Sequence, residues 1–172
     1  MRELSEKLLS LTRQRSLIAG VGNVLKGDDG AGSFLVNELK SKIHGEFLDC
    51  GTVPENYLEK IIAYNPATLV IVDAMELGEV PGTMKIIGAD ELDFKGLSTH
   101  SLSLDVFAGY LRNRIKEIKI LILGIQPKQC GIGHDLSEEV RDAINALAKC
   151  VLAMSLNTKR QVHKKIKKKT SN

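Results

Sequence analysis

The residues that could do chemistry gather at the turns that follow apolar runs. After Ser16-Leu-Ile-Ala-Gly-Val-Gly22 comes Asn23-Val-Leu-Lys-Gly-Asp28-Asp29-Gly30. After Thr68-Leu-Val-Ile-Val comes Asp73, and Gly96-Leu-Ser-Thr-His100-Ser101 precedes a helical stretch. Asp29, Asp73 and His100 offer two hard oxygen donors and one imidazole. Such a set suits Ni, Zn, Fe or Mn and leaves coordination positions open to outside ligands. The three lie far apart in the chain, so no short metal motif holds them and only the fold can make them meet.

Each of these residues also has a plainer use. An acid at a helix N-terminus caps free N–H groups, and one of Asp28 and Asp29 suffices for that, leaving the other over. An Asp at a strand end turns the chain. His100 fits an exposed loop or a cap equally well. A nucleotide site is disfavoured. The third glycine of G-x-G-x-x-G would fall at Leu25, and the Walker pattern running from Gly22 to Gly27 meets Asp28 and Asp29, which repel a pyrophosphate. Cys130, just past Gln126-Pro127, has nothing local to activate it and reads as small filler. His134 in Gly131-Ile-Gly-His-Asp135 reads as a solvated loop histidine, and Glu76 as a solvated loop acid.

Strands and helices alternate along the chain. Short helices or helical stripes fall at 2–13, 31–42 and from Tyr57 to Ile62, and strands at 16–22, 46–50, 68–74, 83–87 and 119–125. Phe34, Leu35 and Leu39 are placed on one helix face. A further helix spans 102–111, and the last opens at Ser137 with Val140, Ile144, Leu147 and Val151 as its core stripe. Runs 68–74 and 119–125 are apolar on both faces, as central parallel strands are. The expected fold is a three-layer α/β/α sandwich with a mainly parallel, twisted sheet of about five strands. Its connections should deliver ligands to the carboxyl ends of those strands.

The composition is that of a globular protein: 172 residues, 43% hydrophobic and 26% charged. With no Trp and 4% aromatics it lacks the stacking platforms of a single-strand nucleic-acid binder. The net charge of +3 is uneven: from Lys159 onward there are seven basic residues and no acid. The remaining 17 basic residues face 21 acids, a net of −4. We expect one domain over 1–158, including an N-terminal helical extension at 1–15, and a disordered basic tail over 159–172. Three Cys without a C-x-x-C pair argue against a disulfide framework or a zinc knuckle. With no apolar leader and no membrane span, the expected setting is the reducing cytoplasm.

GVGNVLKGDDGAG before a helix, IVDAMELGEVPGT after a strand, STHSLSL before a helix and LGIQP after the last strand occur in that order. Together they resemble the hydrogenase maturation endopeptidases, which trim the C-terminus of [NiFe] hydrogenase large subunits. The resemblance runs from about Ser16 to about Ala153. It implies a metal site of Asp29, Asp73 and His100, with Asp28 outside it, and the same α/β/α fold. It also implies that the nickel arrives with the substrate, the nickel-loaded large-subunit precursor, so the free protein holds none or another divalent ion. A monomer without nucleic-acid or membrane partners is expected. The competing interpretation on the same fold is a metal-binding chaperone without enzymatic activity.

Overall fold

The structure, a computed structural model, describes residues 1–12, 15–91 and 101–169; for 101–105 and 158–169 it describes the backbone alone. Five strands, β1 (Ser16–Gly20), β2 (Glu46–Asp49), β3 (Thr68–Ala74), β4 (Met84–Gly88) and β5 (Lys119–Ile125), form one sheet in the order β2-β1-β3-β5-β4. All pairings are parallel except β4 with β5. Only a helix-free loop separates β3 from β4. That is too short for a parallel crossover, so β4 turns back and runs antiparallel on the far side of β5.

Strand alternation sorts the core into two layers. Ile18, Val70, Val72, Leu121 and Leu123 point to the side of α1 (Arg2–Leu11), α2 (Ala31–Lys42) and α5 (Glu138–Lys169). Leu17, Ala19, Leu69, Ile71, Ile120 and Ile122 point to the side of α3 (Leu58–Tyr64) and α4 (Ser101–Arg114). Both faces of β3 are therefore buried, which is why its sequence shows no polar alternation. The expected stripe of α5, Val140, Ile144, Leu147 and Val151, is buried along its length. One helix face is corrected: Leu35 and Leu39 are fully buried, but Phe34 is 40% exposed. Neighbouring residues on a helix are about 100° apart, so Phe34 and Leu35 cannot share a single narrow face. The basic run expected as a tail continues α5 as helix as far as Lys169.

α2 enters the sheet at its carboxyl edge through Gly32. A Cβ on Gly32 would lie 2.2 Å from the Val72 carbonyl oxygen and 2.3 Å from that of Val21. Both obstacles are backbone, so neither can step aside. Gly32→Ala is therefore expected to cost about 3 kcal/mol of stability, read as a lower urea midpoint at unchanged slope.

Candidate functional site

From β1 the chain goes to β2 on one side and then returns to β3 on the other. The crevice between the carboxyl ends of β1 and β3 is thus a topological switch point, where open α/β sheets bind ligands. Asp29 lies in the 3-10 turn Gly27–Gly30 after β1, and Asp73 is the penultimate residue of β3. Asp29 is 3% exposed and Asp73 fully buried. The two segments are tied directly, since the Val21 N–H donates to the Val72 carbonyl at 2.8 Å. Gly22 makes the turn possible. Its φ is 143°, and a Cβ there would sit 1.9 Å from the Asp29 carbonyl oxygen. The Asn23 N–H donates to Asp29 Oδ2 at 3.1 Å, fixing the carboxylate against its own loop. His100 lies outside the described residues. Among the described residues, no three His, Cys, Asp or Glu side chains come together as a metal-binding group.

The two adjacent acids are used differently. Asp28 is fully buried, and its Oδ2 accepts from the N–H groups of Lys128 (2.8 Å) and Gln129 (3.1 Å) and from Ser137 Oγ (2.8 Å). Its Oδ1 accepts the Ser137 N–H at 2.7 Å. Of the two acids either of which could have capped the helix after the glycine loop, Asp28 instead holds the β5–α5 connection and Ser137, the residue before α5. The backbone follows the same seam: Gly27 N donates to His134 O and Asp28 N to Gln129 O, each at 2.9 Å.

A third carboxylate at this edge, Asp49 at the end of β2, escaped sequence reasoning, although it precedes a glycine turn at a strand end just as Asp73 ends its strand. It accepts from Ser33 Oγ (2.7 Å), Asn37 Nδ2 (2.9 Å) and the Gly51 N–H (3.1 Å), pinning α2 to the sheet. Burial works to raise its pKa, but these hydrogen bonds and the Lys40 charge outweigh it, and the net shift is downward.

Gln126 also went unrecognised, because a Gln-Pro pair after a strand carries no local signal of what it binds. Its buried amide accepts from Leu77 N (2.7 Å) and Glu79 N (3.3 Å) and donates to Glu76 Oε1 (2.8 Å) and the Pro127 carbonyl (3.1 Å). Cys130 is exposed; burial of its thiol first, then the Asp29 and Asp28 charges, push its pKa up. Cys50 is buried and pushed up to about 12 by burial and by Asp49. Neither thiol is prepared as a nucleophile. His134 is exposed, and what it gives the fold is its backbone. A groove of about 440 Å³ lined by Val24, Phe34, Asn37, Glu38 and Ser41 lies along α2, apart from Asp29 and Asp73.

Residues 34–154 match the family described as hydrogenase maturation protease. That span contains Asp73 and His100 and begins just after the Asp29 loop. The chain is 33% identical over 130 residues to the hydrogenase 3 maturation protease of Escherichia coli K12, covering 74% of this chain and 82% of that one. Among solved structures, the [NiFe] hydrogenase maturation protease HycI of Thermococcus kodakarensis superposes with a TM-score of 0.73 at 30% identity, over 86% of this chain and 97% of that one. The hydrogenase maturating endopeptidase HybD of E. coli gives 0.68 at 28%, over 84% and 94%.

Two stability measurements test the roles given to the acids that the fold keeps for itself. Asp28→Ala leaves the buried Ser137 N–H and the part-buried N–H groups of Lys128 and Gln129 unpaired and is expected to cost about 3 kcal/mol in urea unfolding. Asp49 has a folded-state pKa below its ordinary 3.8, so its contribution is complete above that value and is lost as pH falls through the folded value. Asp49→Ala should therefore lower Tm at pH 7 and shrink the loss of Tm seen on acidifying below about pH 4.

Proposed function

Because the chain belongs to the hydrogenase maturation protease family, we propose that it is an endopeptidase that recognises the nickel-loaded precursor of a [NiFe] hydrogenase large subunit and removes its C-terminal extension. The observation that carries this is the placement of two buried carboxylates, Asp29 and Asp73, on either side of the switch-point crevice. Around them the neighbouring acids Asp28 and Asp49 are committed to internal hydrogen bonds.

In this scheme Asp29, Asp73 and His100 are the protein ligands that read the nickel carried by the substrate. Three ligands leave positions for groups of the precursor, so engagement is conditional on the precursor having been loaded. Two carboxylates drawn out of water favour a divalent cation strongly. Holding the nickel brings the scissile bond to the crevice, and the charge of the ion is then available to polarise its carbonyl or an attacking water. Asp29, on a turn fixed from both sides, serves as the base for that water. The raised thiol of Cys130 takes no part. The reducing cytoplasm suits these free cysteines and the unfinished substrate; no described helix is long and apolar enough to cross a membrane.

Mass spectrometry of a mixture with nickel-loaded precursor should show a shortened subunit and a released C-terminal peptide, while metal-free precursor stays whole. Loaded precursor that binds but is never cut would overturn the endopeptidase in favour of a chaperone. Asp29→Ala, Asp73→Ala and His100→Ala are each expected to lower cleavage by about 100-fold or more with the fold retained by circular dichroism. Cys130→Ser should keep the rate within about twofold; a large loss there would point to a thiol nucleophile.

A further inference from the structure

We infer that Glu76 is a specificity-determining residue of this site, an anchored carboxylate that receives a cationic side chain of the precursor segment entering the crevice. The inference rests on the endopeptidase reading and adds to it a second point of recognition, separate from the metal. Glu76 stands three residues beyond Asp73, at the same carboxyl edge of the sheet, and is exposed. A solvated loop acid would turn freely. Glu76 does not, because the 3%-exposed amide of Gln126 donates to its Oε1 at 2.8 Å.

Gln126 is itself fixed on every side. Its Oε1 takes the N–H groups of Leu77 and Glu79, and its Nε2 also donates to the Pro127 carbonyl. Its backbone N–H donates to Thr83 O at 2.8 Å and its carbonyl accepts from Gly82 N at 2.9 Å. One buried amide thus organises the whole connection after Asp73 and aims one carboxylate outward. Gln126 is a positioning residue for Glu76. Ordering a Glu side chain costs rotamer freedom, and here that ordering precedes the partner's arrival.

The charge of Glu76 also meets no cationic side chain in an ion pair among the described residues. Nearby Glu79 is paired with Lys85 at 2.6 Å, and Lys128, the residue after Pro127, is taken by Glu139 at 2.6 Å. The Oε1 of Glu76 accepts from Gln126 Nε2, and among the described residues its Oε2 takes no hydrogen bond and so stays open to an incoming donor. For a carboxylate held in this way, a Lys or Arg side chain is the complement.

Cleavage kinetics of the full chain on nickel-loaded precursor, at several salt concentrations, test this. Glu76→Gln keeps an oxygen for Gln126 and removes only the charge. It should raise KM about tenfold, leave kcat within about twofold, flatten the salt dependence of kcat/KM and leave Tm unchanged. Glu76→Lys should raise KM further, and a precursor with one Lys or Arg of the entering segment changed to Glu should restore it. Gln126→Leu should raise KM in the parent protein and much less in the Glu76→Gln background. An unchanged KM and salt slope in Glu76→Gln, or a fall in kcat alone, would overturn the assignment while leaving the endopeptidase reading standing. A parent protein that never cuts the loaded precursor overturns both.

Discussion

The site depends on one buried carboxylate that does no chemistry. Asp28 joins the glycine loop to the β5–α5 connection through four hydrogen bonds, across a sequence separation of 100 residues or more. Bringing a carboxylate out of water costs several kcal/mol, and only a full set of donors offsets that. The set is full, so the tie adds little net stability, and its effect is to make the loop rigid. The turn carrying Asp29 is held on one side by the Asp28 tie and on the other by the close approach to Gly22. If Asp29 is the ligand proposed above, a turn fixed in this way loses little freedom when it binds, which would favour discrimination of loaded from unloaded substrate.

Acids of identical chemistry are thereby given different tasks by their surroundings. Asp28 and Asp49 have their oxygens filled by donors of the protein itself, and both act as fasteners between elements. Glu76 is gripped at one oxygen among the described residues, which fits the outside use proposed for its charge. Asp29 and Asp73 are buried at the crevice between β1 and β3. No residue type or local pattern separates these cases, because the separation is made by donors arriving from elsewhere in the chain.

That is also where the sequence stops being readable. β3 and β5 are legible because burial on both faces leaves no polar alternation, and α5 because its stripe keeps helical spacing over three turns. The convergence of the Asp29 and Asp73 segments is legible too, from the rule that ligands collect at strand ends. The partners of Asp28 are not, since Lys128, Gln129 and Ser137 lie beyond several intervening strands. Phe34 misleads because adjacent apolar residues on a helix suggest one face where the core needs only Leu35. The Gln126 clamp has no sequence signal: a glutamine announces neither what it donates to nor what it accepts. His100 falls outside the described residues, so the imidazole is carried by sequence pattern alone.

One electrostatic field links the acids to the nearby thiol. The carboxylates proposed to draw a divalent cation to the crevice make it hostile to a thiolate. Cys130 shows this directly: after burial, the Asp29 and Asp28 charges are what raise its pKa, and the Lys26 charge and the Asp29 N–H only partly oppose them. A cysteine peptidase needs the opposite arrangement, with a cation or helix N-terminus beside the sulfur. The two designs exclude one another at a single locus, and the Asp28-Asp29 pair disfavours the second. Under the proposed reading, hydrolysis draws its driving charge from the nickel carried by the substrate, and a site built that way would act only on a substrate that has received it.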